Sequence, residues 1–124
     1  MNNARHCRAR PEDAIQRAVT QHYRRRAAAG VFMFAVPNGG YRRPIEAAIM
    51  KATGTVAGVP DTIWIKDGQT YALELKAEGG KPTAKQVEAI AAMQVAGAIT
   101  GVAIGLDDAL RWLEERGLLR GQAT

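Results

Sequence analysis

The chain has one cysteine, Cys7, among its 124 residues. A lone thiol cannot form an intrachain disulfide, and it excludes every zinc centre built on a cysteine cluster. Histidine is almost as scarce. His6 and His22 are the only two, with no third ligand at metal-site spacing, so His22 reads as a helix-face residue. No apolar run approaches the ~20 residues of a membrane-spanning helix. The opening MNNARHCRAR lacks the apolar segment of a secretory signal. There is no internal repeat, low-complexity block or linker, and no glycine loop that would cradle phosphate at a strand–helix junction. The NGG at 38–40 reads as a turn. What remains is one domain with a packed core, supported by 47% hydrophobic residues. A reducing, cytoplasmic setting and no membrane partner are the expectations.

Acidic charge is sparse in the first half. Residues 1–60 hold ten Lys and Arg against three Asp and Glu, whereas residues 61–124 hold seven against nine, for a net charge of +5. A basic half beside an acidic one suits a protein that grips a polyanion with one region and works with the other. A basic surface with no partner explains the charge equally well.

Residues 1–10 carry three arginines without periodicity and read as a flexible basic arm. Residues 11–117 read as the domain, and 118–124 as a frayed tail. Pro11, Glu12 and Asp13 suit the first turn of a helix. Ala14, Ile15, Ala18, Val19 and His22 form its apolar stripe, and Gly30 is placed to end it. VFMFAV (31–36) predicts a strand, and RPIEAAIMKATG a short helix or an irregular excursion. TIWIK and TYALELKA predict two strands joined by Asp67-Gly68, a strong hairpin signal. Thr83 with Gln86 three residues on forms a capping-box pattern at the start of a helix that Gly97 stops. ITGVAIG predicts a strand. DDALRWLEERG predicts a last helix capped by Asp107 or Asp108. The strand–helix–strand passage from 70 to 105 should bring two strands parallel.

The hairpin raises a chemical question. Both of its faces are apolar, as in a strand pair covered by helices, yet Glu74 and Lys76 share one face near its end. With Asp67-Gly68 as the turn, Ile63 pairs Ala72, Trp64 pairs Tyr71, and Asp61 faces Glu74. Two opposed carboxylates destabilise a sheet. Lys76 offsets one of them, and a divalent cation with a preference for oxygen ligands would offset the other. The alternative is that Asp61 and Glu74 lie in water at the sheet edge, with Lys76 as a simple ion-pair partner. A slip of one residue at the turn would move Asp61 to the other face.

The surrounding string, GVPDTIWIKDGQTYALELK, resembles the PD-(D/E)XK nuclease superfamily and, within it, the VRR-NUC family. The resemblance runs from Glu12 to about Trp112. Glu12 with Gln16 is similar to the family's first-helix feature, VPNGG to its loop after the first strand, and GTVAGVPD and LELK to its two catalytic motifs. GGKPTAKQ is similar to the stretch leading to a helical glutamine, here Gln86. YRR at 41–43 has no assigned role. The resemblance implies a restriction-endonuclease-like αβββαβ core, an α/β fold with a mixed central sheet flanked by helices.

It also implies the chemistry. Asp61, Glu74 and the backbone carbonyl of Leu75 would bind Mg²⁺ or Mn²⁺. Glu12 would join directly or through water, and which of Glu12 and Asp13 faces the site is left open. Lys76 would orient the attacking water and stabilise charge in the transition state. Gln86 would position Lys76, the water or the phosphate. Arg17, Arg24, Arg25, Arg26, Arg42, Arg43, Lys81 and Lys85 are candidate contacts to DNA phosphates. The expected activity is that of a metal-dependent endonuclease on branched DNA such as a Holliday junction, in a bacterial cell or phage-infected host. Two cuts call for a homodimer. The competing reading is a non-catalytic DNA-binding module or subunit of a DNA-processing assembly. An enzyme using paired carboxylates on a small molecule is a third, weakened by the missing phosphate loop.

Overall fold

A computed structural model describes residues 11–37 and 42–122. The basic arm at 1–10, the NGG turn and Tyr41 lie outside the described residues. Eight elements follow in order: α1 (Pro11–Arg26), β1 (Phe32–Ala35), α2 (Pro44–Ala52), β2 (Thr62–Lys66), β3 (Gln69–Lys76), α3 (Ala84–Val95), β4 (Ile99–Ile104) and α4 (Leu106–Glu115). They build an α/β fold around one mixed sheet of order β1-β2-β3-β4. The first two pairings are antiparallel and β3–β4 is parallel.

The hairpin turn sets the register. Asp67 and Gly68 have φ of 51° and 77°, the two positive values that a two-residue turn of type I′ demands. Lys66 then pairs Gln69, and the ladder runs through Ile63–Ala72 to Thr62–Leu73. The slip that would separate Asp61 from Glu74 does not occur.

One face of the sheet is fully covered. Trp64, Leu73, Leu75 and Ala103 pack under Val19 of α1 and Ala109, Leu110 and Leu113 of α4. The Tyr23 and Trp64 rings meet edge to face at 5.6 Å, and Trp64 Nε1 donates to the Thr62 hydroxyl. Gly101 lies against the Trp112 indole, where a methyl would overlap the ring.

The other face is covered only in part. α3 lies over β4, reaches Glu74 of β3 through Gln86, and buries Ala89, but Phe32, Phe34 and Ile65 remain 60%, 42% and 38% exposed. The expectation that the hairpin is sheltered on both faces therefore holds for β3 and fails for the outer part of β2. The region RPIEAAIMKATG is a helix, α2, and it buries none of its residues.

Three further expectations change. α1 ends at Arg26, ahead of Gly30, where Ala27 enters a bridge with Leu119, and Arg26 turns inward. Its guanidinium pairs with Glu114 at 2.7 Å and donates to the Arg120 carbonyl and to His22 Nδ1. Burial and Arg26 both hold the His22 imidazole below its usual value. Of the segment expected to fray, residues 118–120 are anchored: Leu118 and Leu119 are buried, Leu119 bridges Ala27, and Arg120 N–H donates to the Arg26 carbonyl. The N-cap of α4 is Gly105. Asp108 instead accepts from the Ile104 N–H, and Asp107 sits in the first turn. Thr83 and Gln86 do form the reciprocal capping box on α3.

Candidate metal-binding active site

Glu74 is an inward-facing residue of a central strand and is 2% exposed. Its alternation with Leu73 and Leu75 puts it on the face opposite the main core, under the start of α3. Gln86 Nε2 donates to Glu74 Oε2 at 3.0 Å. Lys76 Nζ stands 3.5 Å from the same oxygen, with 13% of its side chain exposed. No donor among the described residues reaches Glu74 Oε1. A buried carboxylate oxygen without a partner is expensive, and either a proton shared with Asp61 or a bound cation would relieve it.

Asp61 approaches from the other strand of the hairpin. β2 begins one residue later, at Thr62, but the Asp61 carbonyl accepts from the Val36 N–H at 2.8 Å. Its carboxylate accepts from the Leu75 N–H at 2.9 Å. The Asp61 charge therefore acts on Glu74. Burial pushes the Glu74 carboxyl up, the Asp61 charge adds to this, and Lys76 opposes it in part, leaving a pKa of about 7.

The N–H and C=O of a strand residue point the same way. The Leu75 N–H is on Asp61, so its carbonyl is aimed past the end of β2 to that side. Two carboxylates, one with an unpartnered oxygen, and a main-chain carbonyl are a fitting donor set for a hard divalent cation. Among the described residues, no three His, Cys, Asp or Glu side chains form a ligand group.

Glu12 stands one step away. Its Oε2 accepts from the Ala77 N–H at 3.4 Å, just beyond the end of β3. Gln16 and Asp13 line a shallow surface groove on α1 with Arg17 and Arg24.

The approach to Asp61 is fixed by Gly58. Its φ is +83°, and a Cβ there would overlap the backbone of Lys85 and Gln86. The GVPD turn thus packs directly on the first turn of α3 and ties Asp61 to Gln86.

The basic candidates do not form one patch. Lys85 and Lys81 are exposed near the Gln86 side of the site, and Arg42 is exposed beside α2. Arg43 is exposed and paired with Glu46 at 3.2 Å, which holds the Glu46 carboxyl low. Arg17, Arg24 and Arg25 are exposed on α1, which covers the opposite face of the sheet. Arg26 leaves the group altogether, since its side chain is buried in the ion pair with Glu114. Lys51 was not among the sequence-based candidates. It lines a cavity beside the site with Arg42 and Lys85, and no local pattern marks it.

No protein-family model and no curated protein matches the chain. Solved structures do match, and two of them are VRR_NUC domains. One, a "VRR_NUC domain protein", is 25% identical with a TM-score of 0.71, over 87% of this chain and 88% of its own. The other, a "VRR_NUC domain", is 21% identical with a TM-score of 0.57, over 86% of this chain and 97% of its own, a likeness in fold alone. No described helix is long and apolar enough to cross a membrane. The shared fold supports the family that the hairpin motifs suggested, and the chain is similar over most of its length to VRR_NUC domain proteins.

Proposed function

We propose that the chain is a Mg²⁺- or Mn²⁺-dependent endonuclease that hydrolyses phosphodiester bonds in DNA, acting in the cytoplasm on branched DNA such as a four-way junction. The observation that carries this reading is Glu74. It is buried, one of its oxygens has no partner, a second carboxylate raises its pKa, and a lysine stands beside it. A fold maintained by packing alone has no use for that arrangement.

Asp61, Glu74 and the Leu75 carbonyl hold the ion in this reading. When bound, the ion supplies Lewis acidity toward a phosphoryl oxygen and the attacking water. The protein does the rest. Gln86 fixes the Glu74 carboxylate through Oε2 and leaves Oε1 without a protein donor. Lys76, largely shielded from water, brings positive charge to where negative charge builds up in the transition state. Its neighbour Glu74 orients that ammonium from 3.5 Å. Glu12 contributes through water, since it stands at the Ala77 N–H and not beside the pair. Arg42, Lys81 and Lys85 contact phosphates flanking the cut, and Arg17, Arg24, Arg25 and Arg43 hold outlying duplex.

Two cuts on opposite strands need two sites, so the active form is a twofold homodimer. The uncovered sheet face bearing Phe32, Phe34 and Ile65 is its interface. Light scattering should give twice the chain mass, and Phe34→Glu should give the monomer.

The test of activity uses a four-way junction, a flap and a plain duplex, each with Mg²⁺, Mn²⁺ or EDTA. Cleavage of the junction with metal and none in EDTA is expected. Absence of cleavage in all three, with junction binding retained, would replace this reading by that of a DNA-binding module.

A further inference from the structure

Beside the carboxylate pair lies a cavity of about 770 Å³ that holds none of the candidate metal ligands. One wall is α2 with the loop that follows it, and the other is the outer side of α3. Its position is fixed by the Gly58 contact. Gly58 lines the cavity, lies on the backbone of Lys85 and Gln86, and leads within three residues to Asp61. Lys85 lines it too, and the next residue, Gln86, bonds Glu74. The cavity and the candidate metal site therefore share a wall.

The lining has two chemistries. Arg42, Lys51 and Lys85 contribute three cations against one carboxylate, Glu88. Met50, Val56 and Ala92 contribute an apolar surface. The Arg42 guanidinium is held over that surface by its 3.0 Å contact with Met50 Sδ. The volume is in the range of sites that enclose small organic ligands, roughly 300–1,000 Å³. A flat apolar group with an attached anion satisfies both halves of the lining. A phosphate alone would leave the apolar wall wet, and an apolar peptide side chain would leave three cations unmatched.

We propose that this cavity seats one unpaired nucleotide next to the scissile phosphate, its base against Met50, Val56 and Ala92 and its phosphate among Arg42, Lys51 and Lys85. The inference rests on the nuclease reading for the position of the cut. A base stacked and paired in a duplex is held inside the helix, away from a surface pocket, whereas an extrahelical one enters with little loss of stacking. The site therefore selects DNA with an unpaired nucleotide at a junction or bulge, and the phosphate contacts add affinity without sequence preference.

The test is binding in EDTA, so that it reads the cavity and not catalysis. The probes are a duplex with one extrahelical 2-aminopurine nucleotide and its fully paired counterpart. The protein should bind the bulged duplex about tenfold more tightly, with a change in 2-aminopurine fluorescence as the base enters. Ala92→Trp, at an exposed helical position, should fill the cavity and erase the preference while leaving affinity for paired duplex unchanged. Lys51→Ser should weaken binding of the bulged probe alone. Equal binding of the two probes by the unaltered protein, or a preference that survives Ala92→Trp, overturns the proposal. Metal-dependent cleavage without the preference leaves the nuclease reading standing and removes the cavity. A preference without cleavage does the reverse.

Discussion

Replacing Glu74 by Gln removes a charge that the metal-free protein holds at high cost. Glu74 is 2% exposed and sits against Asp61, so its pKa rises from 4.5 to about 7 on folding. The folded state therefore binds this proton more tightly than the unfolded chain does. Below pH 4.5 both states are protonated and the full stability is present. Between 4.5 and about 7 the unfolded chain loses the proton first, and stability falls as pH rises. Above pH 7 the loss is complete and constant. The interval corresponds to about 3 kcal/mol as an upper limit, or a melting temperature lower by about 10 °C in a chain of this length. The Glu74→Gln side chain keeps an oxygen that can accept from Gln86 Nε2 and carries no charge at any pH. Urea denaturation in EDTA at pH 5 and pH 8 should show the unaltered protein losing up to about 3 kcal/mol relative to the variant. At pH 8 the variant should be the more stable of the two. Mg²⁺ or Mn²⁺ should then restore the unaltered protein and leave the variant unmoved. Parallel pH profiles for the two proteins would refute the claim that Glu74 is held as a strained carboxylate.

Three other outcomes are expected. Lys76→Ala should lower the cleavage rate by about 10²–10³ and leave junction binding near its original value, as measured by single-turnover kinetics and fluorescence anisotropy. Gly58→Ala should destabilise the fold by about 1–3 kcal/mol, because it adds a clash with the Lys85 backbone to an unfavourable φ. It should also lower cleavage beyond what the lost stability explains, since Gln86 moves with that backbone. Gly101→Ala should cost about 1–3 kcal/mol in denaturant unfolding through overlap with the Trp112 indole. Its cleavage rate should be unchanged under conditions where it is folded.

The hairpin was legible in the sequence because its determinants are local. Asp67-Gly68 admits one turn geometry, and every pair down to Thr62–Leu73 follows from it. The start of α3 was legible for the same reason, since Thr83 and Gln86 cap one another three residues apart. What escaped depends on contacts distant in sequence. Arg26 looks like one of three surface arginines until Glu114 and the Arg120 carbonyl are brought to it. Leu118 and Leu119 look like a loose end until α1 and α4 close over them. The exposure of Phe32, Phe34 and Ile65 is also invisible locally, because it reflects how far α3 reaches across the sheet. Within the candidate site, the hairpin spacing brought Asp61, Glu74 and Lys76 into view, whereas the burial of Glu74 and the cavity beside it depend on how α3 sits on the sheet and where α2 stands beside it.

The central claim is that Asp61, Glu74 and the Leu75 carbonyl share one divalent ion. Anomalous diffraction from crystals soaked in Mn²⁺ tests it most directly. The account predicts a single strong peak between the two carboxylates, in contact with the Leu75 carbonyl and lost in Glu74→Gln. An empty position between Asp61 and Glu74 under saturating Mn²⁺ would contradict it.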